Sequence, residues 1–360
     1  MILQTLHTEN FRNLANRPID FHPAVNIVVG LNGQGKTNLV EAIYFLATTK
    51  SFRTPRVSSL FRFDSASLFA SGSVQRDDVS RTLSAGLESG ETKKRVLMIN
   101  SERVTLTSYV SALTVFAYSA SRLEILRGAP EERRRFLDRG IASINPGYLD
   151  ELTRYGRVLR QRNALLQSGT ESTLAAWDDE FIATAGAVHR ARTAYAAAIT
   201  SAFRRIVSEH AYRIANLEIH YRSNAAPETL RDELPRLRRH ELRARMSLTG
   251  PQRDTIDFLV DGRPAGEVLS GGEQKMLVLF LKFAKVDVFR ERRGDTPLFL
   301  LDDIDAELDL EILRKLIRRL PSETQVFGTS AKEVFLSALE AGPHRRLTIE
   351  NGHVTAMRDF

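Results

Sequence analysis

The eight residues from Gly30 to Thr37 restrict the fold of this chain more than any other feature. They read Gly-Leu-Asn-Gly-Gln-Gly-Lys-Thr and lie between an apolar run at Val25–Val29 and a helical pattern at Asn38–Ala47. Glycines permit backbone angles that turn successive N–H groups toward one point, and a helix N-terminus adds positive potential there. The segment therefore predicts a phosphate-binding loop between a buried strand and a helix. A purely structural glycine-rich turn is the alternative.

The order of residue types assigns a role to each part of this loop. Lys36 is expected to reach the β- and γ-phosphates of a nucleotide, and the Thr37 hydroxyl is expected to hold Mg²⁺. Asn38 completes the predicted cofactor-binding set. The loop backbone that would surround the phosphate oxygens belongs to Gly30, Leu31, Asn32, Gly33, Gln34 and Gly35. ATP and Mg²⁺ are the expected cofactors.

A second apolar run, Leu298–Leu301, ends at two carboxylates, Asp302 and Asp303. Buried parallel strands deliver their polar side chains at the carboxyl end. Asp302 is therefore expected to bind Mg²⁺, and Asp303 is expected to act as the general base on an attacking water. An ordinary acidic turn after a strand is the alternative.

Between these two segments the chain reads Leu-Ser-Gly-Gly-Glu-Gln at residues 269–274, before an apolar helix predicted at Lys275–Phe289. The start of that helix would form a second anion site. One bound triphosphate needs a single such site, whereas in a symmetric dimer each copy can cap the γ-phosphate of the other. The residues predicted to act across the dimer are Ser270, Gly271, Gly272 and Gln274. A capping box of Ser270 with Glu273 is the simpler interpretation, and both can hold together.

These three elements together resemble the ABC ATPase superfamily, and a longer series of motifs resembles the RecF family of recombination mediators. The motifs that carry this resemblance are Asn10–Asn13, Lys50–Arg53, Gly128–Asp138, Leu248–Asp254 and Asp302–Asp309. The resemblance implies an α/β fold: an ABC-type head with mixed and antiparallel sheets around the phosphate-loop core, and a short, mostly helical arm. We expect head segments at 1–120 and 213–360 and the arm at 121–212. The resemblance also implies that Arg12 and Asn13 contact the base or ribose of the nucleotide.

The resemblance further implies a function in DNA repair, replication and recombination. A RecF-type protein would form a homodimer on ATP, bind single- and double-stranded DNA at gaps or junctions, and help to load RecA with RecO and RecR. Hydrolysis is expected to be slow, below about 1 s⁻¹. The reason is that Asp303 stands where many ABC ATPases have the longer glutamate, and a misplacement of about 1 Å costs on the order of 100-fold in rate. The alternatives are the ATPase subunit of an ABC transporter and an ATP-binding DNA scaffold with vestigial hydrolysis.

The chain departs from the family pattern at two places near the expected site. Tyr118–Ser121 stands where the family often shows a Pro-Glu-Asp type sequence, so the residues that contact Mg²⁺ or water there are open. Gln325–Ser330 contains no histidine, although transporter-type ATPases place a switch histidine in this position. Thr329 or Ser330 could contact the γ-phosphate instead, by hydrogen bonding alone.

The composition of the chain predicts a cellular location and identifies a positively charged region. The chain has no cysteine, no run of about 18 apolar residues and no basic and apolar leader, so we expect a cytoplasmic protein without a membrane span. The formal net charge is +7, and residues 121–246 hold 22 arginines, no lysine and 16 acidic residues. This region is the expected DNA-binding surface. Solvated helix faces or an arginine-rich genome are alternative explanations.

The arginine-rich region also predicts secondary structure. Two apolar stripes at helical spacing, at residues 149–166 and 177–206, predict an antiparallel helical hairpin that turns at Ser168–Thr170. The segment Ser223–Pro235 is expected to be a loop. The arginines that form sequence clusters are Arg133, Arg134 and Arg135, then Arg154, Arg157, Arg160 and Arg162, then Arg236, Arg238, Arg239, Arg243 and Arg245.

Overall fold

The computed structural model describes residues 1–89, 94–119, 123–169, 171, 173–210, 214, 216–223, 226–304, 309–330, 336–340 and 342–360. Parts of three predicted features, at residues 120–121, 170 and 224–225, lie outside these ranges, as does 305–308 of the Asp302–Asp309 motif. The chain forms two compact units. One unit comprises Met1–Leu123 with Ser270–Phe360, and the other comprises Glu124–Leu269.

The secondary-structure elements are numbered in chain order. The strands are β1 Ile2–Leu3, β2 Thr5–Glu9, β3 Ile19–Asp20, β4 Val25–Val29, β5 Ser67–Arg76, β6 Val79–Glu88, β7 Lys94–Ile99, β8 Glu102–Arg103, β9 Val115–Ser119, β10 Leu217–Arg222, β11 Thr255–Val260, β12 Arg263–Pro264, β13 Leu298–Asp302, β14 Val326–Thr329, β15 His344–Glu350 and β16 His353–Asp359. The helices are α1 Lys36–Thr48, α2 Leu106–Ala112, α3 Glu124–Arg127, α4 Pro130–Ile144, α5 Tyr148–Ser168, α6 Leu174–Glu209, α7 Pro227–Ala244, α8 Ala265–Val268, α9 Gly271–Arg293 and α10 Leu310–Arg319.

A mixed six-stranded sheet positions the candidate site in the first unit. Its strand order is β16-β15-β4-β14-β13-β9, and the strands from β15 to β9 all run parallel to their neighbours. The register pairs Thr329 with Val28 and Asp302 with Ser119. Parallel pairing therefore brings the carboxyl ends of β4, β14, β13 and β9 to one edge. The two buried strands expected at Val25–Val29 and Leu298–Leu301 are confirmed as β4 and β13.

Helix α1 is the core of the first unit because it lies between two sheets. It contacts β5 and β6 of an antiparallel sheet with the order β3-β2-β5-β6-β7-β8, and it also contacts β9, β13 and β14. Every residue from Leu39 to Ala47 is buried, as expected for a helix covered on all sides. The other long helix of this unit, α9, packs Phe283 against Phe299 and Phe289 against Phe116. The expected head fold is thus present.

The second unit is mostly helical, with the small antiparallel sheet β10-β11-β12. The predicted hairpin is confirmed as α5 and α6, which pack along each other. Residues 213–269 belong to this unit, whereas we expected them in the C-terminal part of the head. The reason is that β10 pairs with β11 over six residues and α7 packs on α6, so both segments are tied to the hairpin.

The prediction of a loop at Ser223–Pro235 is wrong, because α7 begins at Pro227 and continues through Pro235 to Ala244. Proline is well suited to the first turn of a helix, where its missing N–H has no partner to lose. Pro235 lies on the exposed side, where the carbonyl that it leaves unpaired can reach water. Leu230, Leu234 and Glu241 lie on the buried side at helical spacing and hold the helix in place.

Helix α7 is fixed to the hairpin by a buried ion pair. Arg162 of α5 and Glu241 of α7 are both fully buried and share two hydrogen bonds of 3.1 and 2.6 Å. Arg162 also donates to Asp178 and Ser247, and Glu241 accepts from the Leu248 N–H. Every charged atom of the pair therefore has a partner, which is the condition under which a buried pair is tolerated.

We predict that Arg162→Met lowers the free energy of unfolding by about 3–5 kcal/mol, because it leaves the Glu241 carboxylate buried without its cation. The matched control is Arg154→Met on the same helix, which breaks an exposed pair with Glu180 and is expected to cost less than about 1 kcal/mol. Urea unfolding followed by circular dichroism measures both. Equal losses for the two variants would contradict the network.

Candidate nucleotide-binding site

The phosphate loop follows β4 and ends at the first residue of α1. Gly30, Gly33 and Gly35 have φ values of 151°, 81° and 118°, and Gly35 is the left-handed N-cap of the helix. A Cβ on Gly30 would lie 2.4 Å from the carbonyl oxygen of Ile349 in β15. Glycine is therefore required at this position by both backbone angle and space.

Hydrogen bonds within the phosphate loop and from a neighbouring turn hold the loop in place. The Lys36 ammonium group lies within the loop and donates to the carbonyls of Gly30 and Leu31, at 2.7 and 3.1 Å. Gln34 accepts hydrogen bonds from the backbone N–H groups of Asn351 and Gly352, in the turn between β15 and β16. These hydrogen bonds fix the position of Lys36 at the start of α1, next to Thr37.

A buried carboxylate organises the residues that flank the loop. Glu41 of α1 is fully buried and accepts hydrogen bonds from Arg12, Ser51 and Arg53. Arg12 binds it with two nitrogens, so its guanidinium is held in one orientation. Two of the motifs singled out in the sequence, Asn10–Asn13 and Lys50–Arg53, thus converge on one acid.

Asn13 and Asn38 lie together beside the loop. The Asn38 amide donates to the Asn13 side-chain oxygen at 2.7 Å, and the Asn13 amide donates to the Gln34 carbonyl. Arg53 donates to the Asn38 side-chain oxygen at 2.9 Å. The structure therefore brings Arg12, Asn13 and Asn38 to the phosphate loop.

The two carboxylates stand at the end of β13. Asp302 is buried, and its two oxygens accept from the hydroxyls of Thr329 at 3.0 Å and Ser119 at 3.4 Å. Asp303 has a left-handed φ of 55°, and its N–H donates to the same Thr329 hydroxyl at 2.9 Å. Neighbouring strands β9, β13 and β14 thus each contribute one polar residue at their carboxyl ends.

Burial dominates the acidity of this region. It raises the pKa of Asp302 above its ordinary value, while hydrogen bonds from Thr37, Thr329 and Ser119 and the charge of Arg53 oppose that rise. Burial, together with the charge of Asp303, also raises the pKa of the Tyr118 phenol. Thr37, in the phosphate loop, is thus one of the residues that lower the pKa of Asp302 in the carboxylate pair.

The oxygen atoms of Thr37 and Asp302 fit the expected Mg²⁺ ion. Both are hard oxygen ligands, Thr37 in the first turn of α1 and Asp302 at the end of β13, and magnesium is usually held by one or two protein oxygens together with substrate phosphates. Within the described ranges, no three His, Cys, Asp or Glu side chains cluster into a metal site made by protein alone.

The Ser-Gly-Gly segment forms the start of α9 in the same unit. Ser270 is the N-cap, and it completes a capping box with Glu273, so that interpretation is confirmed. Ser270 is exposed and Gly271 and Gly272 are half-buried, whereas Gln274 has only 1% of its surface exposed. The structure corrects the prediction for Gln274, because its position one turn into the helix faces the core rather than a second molecule.

Sequence reasoning missed Glu41, Arg53 and the bonding role of Thr329. A signal for Glu41 was available, since a single acid inside the apolar run of α1 needs a buried partner. Thr329 gave no such signal. Its contacts with Asp302 and Asp303 depend on the pairing of β13 with β14, which no local pattern displays.

A basic loop is the second candidate site, and it lies in the helical unit. We define the arginine loop as residues 243–253, which carry the exposed Arg243, Arg245 and Arg253 and no acid. None of the three forms an ion pair with a carboxylate that the structure describes. A Cβ on Gly250 would lie 2.7 Å from the Phe181 ring. Arg253 packs on Met246, with its Nη2 3.0 Å from the sulfur.

Buried contacts fix both ends of the arginine loop. Ser247 is bound by Arg162, and at the other end Arg192 of α6 donates to the Pro251 carbonyl and to Asp254. Arg192 also binds both oxygens of Asp138. The motifs Gly128–Asp138 and Leu248–Asp254 thus meet in one network. Arg162 is itself fully buried, which excludes it from the expected DNA surface.

A phosphate loop and a carboxylate pair at one edge of a parallel sheet, with a second sheet across α1, define an ATPase head of the SMC type. The family model described as "RecF/RecN/SMC N terminal domain" matches residues 2–352. The DNA replication and repair protein RecF of Geotalea daltonii is 32% identical over 98% of this chain and all of that protein. The chain therefore belongs to the RecF family.

Two solved structures show the same fold. "Structure of the recombination mediator protein RecF-ATPrS in RecFOR pathway" has a TM-score of 0.83 and 25% identity, over 97% of this chain and 96% of that one. The corresponding RecF-ATP structure has a TM-score of 0.87 and 24% identity, over 100% and 97% of the two chains. None of the helices in the described ranges has the length and apolar character needed to cross a membrane.

We predict that Gly30→Ala destabilises the first unit by about 1–3 kcal/mol, because the added Cβ collides with the backbone of β15. Gly86→Ala in β6 is the control, since its nearest neighbour would lie at an ordinary 3.7 Å, and we expect a change within about 1 kcal/mol. Thermal unfolding without added nucleotide measures both. If the Gly30 variant melts like the wild type, the close approach of β15 is incorrect.

Proposed function

We propose that this protein is an ATP-dependent DNA-binding repair protein of the RecF type. It would bind ATP and Mg²⁺ in the phosphate-loop site, dimerise on ATP, bind DNA, and reset by slow hydrolysis to ADP and phosphate. The observation that carries this proposal is the parallel pairing of β4, β14 and β13, which brings the phosphate loop and the carboxylate pair to one edge of the sheet. Family membership leaves the transporter alternative without support.

The residues of the site have distinct proposed roles. The backbone of Gly30–Gly35 and Lys36 hold the phosphates, while Thr37 and Asp302 hold Mg²⁺, which would neutralise phosphate charge when bound. Arg12, Asn13 and Asn38 line the side of the loop, where a base or ribose would lie. The descriptions of the RecF relatives as ATP and ATPrS complexes support the choice of nucleotide.

Asp303 is the proposed general base. It would take a proton from the water that attacks the γ-phosphate, and ADP would leave with the electrons of the broken P–O bond. Its side chain is one methylene shorter than glutamate, and its backbone is held in a left-handed conformation. Both features support slow turnover, in which ATP acts mainly as a clamp. A scaffold with vestigial hydrolysis would show no turnover above background.

Two exposed features support an ATP-dependent homodimer. Ser270 is exposed at the start of a long helix whose N–H groups can bind an anion. Leu31, in the phosphate loop, exposes 79% of its surface and is therefore accessible to a second copy. A second copy that places its Ser-Gly-Gly segment over the bound nucleotide would cover both features.

We predict that the wild type doubles its mass with ATP and Mg²⁺, while Lys36→Met and Ser270→Arg remain monomers. Lys36→Met fails because it loses the phosphate contact, and Ser270→Arg fails because its side chain blocks the anion site at the interface. Light scattering measures the mass, and a nucleotide-binding assay separates the two causes, since Ser270→Arg should still bind ATP. Wild type that binds ATP but never dimerises would contradict the shared site.

The arginine loop is the proposed DNA contact in this chain. Arginine forks suit phosphate oxygens, and a loop held by buried contacts loses little conformational freedom on binding. The names of the relatives place them in DNA replication and repair and in the RecFOR pathway, which supports DNA as the ligand and RecO and RecR as partners. Binding at gaps or junctions and the loading of RecA in the cytoplasm are proposed from the resemblance to the RecF family.

We predict that replacing Arg243, Arg245 and Arg253 by glutamine weakens binding to gapped DNA for every sequence. The slope of log affinity against log salt should fall by about 1 for each arginine that contacts a phosphate. Arg222→Gln is the control, because Arg222 is equally exposed but is already paired with Asp257. Fluorescence anisotropy over a salt series measures the slope, and an unchanged slope in the triple variant would exclude this loop.

A further inference from the structure

Thr329 occupies a central position at the edge of the six-stranded sheet. It is the last residue of β14, which lies between the phosphate-loop strand β4 and the carboxylate strand β13. Its hydroxyl donates to Asp302 at 3.0 Å and accepts the Asp303 N–H at 2.9 Å. Its carbonyl accepts the Ile304 N–H at 3.2 Å. One residue therefore contacts three consecutive residues after the buried run of β13.

The hydroxyl group has one hydrogen to donate, and this limits what Thr329 can do. Because that hydrogen is used by Asp302, it is not available for a phosphate oxygen, which can only accept. The expectation that Thr329 contacts the γ-phosphate is therefore not favoured by the geometry. Its acceptor side holds Asp303, whose left-handed φ of 55° is uncommon for a residue with a side chain and needs a fixed partner.

We propose that Thr329 is a positioning residue, whose hydroxyl fixes Asp302 and Asp303 relative to each other for hydrolysis. In this role Thr329 acts on the two carboxylates rather than on the phosphate. The inference rests on the proposed function, since it concerns the rate of the same reaction. Thr329 joins the Asp302 side chain to the Asp303 backbone, and Ser119 donates to the other Asp302 oxygen.

The test compares Thr329→Val, which has the same shape without the hydroxyl, with Thr329→Ser, which retains it. We expect Thr329→Val to lower kcat on the order of 100-fold, as for a misplacement of about 1 Å, while its KM for ATP changes little. The phosphate loop is untouched, so binding should survive. Thr329→Ser should restore most of the rate.

The chain offers a matched control in Thr324, just before β14. Its side chain is buried, and its hydroxyl has no hydrogen-bond partner among the described residues. Thr324→Val makes the same chemical change a few residues away and should leave kcat unaltered. If Thr329→Val keeps the wild-type kcat, or loses ATP binding along with it, the positioning role is overturned.

A second measurement does not require hydrolysis and separates this inference from the proposed function. Hydrogen exchange by mass spectrometry on the peptide covering Leu298–Ile304 reports the Asp303 N–H without nucleotide. We expect several-fold faster exchange in Thr329→Val than in wild type or Thr329→Ser, with similar melting temperatures. Unchanged exchange would overturn the proposed bond. If the wild type shows no ATP turnover but the exchange rates differ as expected, the proposed hydrolysis is refuted and the contact between Thr329 and Asp303 is supported.

Discussion

Parallel pairing of four strands is the constraint on which the candidate site depends. β4, β14, β13 and β9 come from distant parts of the chain, yet their carboxyl ends meet at one edge. The phosphate loop, Thr329, Asp302 and Ser119 follow from that arrangement. Helix α1 then fixes the depth of the site, because it is buried between two sheets and carries Lys36 and Thr37 at its first turn. Moving any one of these strands by one residue would turn its polar end to the other face.

Local patterns were sufficient for the parts of the site that lie on one segment. The glycine spacing predicted the phosphate loop, and the apolar run before Asp302 predicted a buried strand, because each depends on neighbouring residues alone. Glu41 with its arginines, and Thr329 with its carboxylates, depend on side chains that are far apart in sequence. Gln274 and α7 show a different limit. Gln274 was assigned from its motif alone, without regard to the side of the helix on which it lies. Helix α7 was missed because Pro235 indicated a loop, although Leu230 and Leu234 lie at helical spacing.

The arginines of the second unit show why a charge count cannot locate an interface. Arg162 and Arg192 are buried and bind carboxylates on three different elements, so their charges are neutralised within the fold. Arg243, Arg245 and Arg253 have the same chemistry but an exposed position. The buried arginines nevertheless help to position the exposed ones, because their hydrogen-bond networks fix the two ends of the arginine loop. An arginine-rich region can thus be both structural and available for binding.

The site surrounds the buried Asp302 with neutral hydroxyl groups. Ser119 and Thr329 both donate to Asp302, whose pKa is raised by burial. A hydroxyl stabilises a carboxylate less than a cation does, but it can donate and accept at the same time. This property lets Thr329 connect a side chain to the backbone of the next residue. Such a connection favours a fixed arrangement of the two acids over strong charge neutralisation, which fits the slow turnover that we propose.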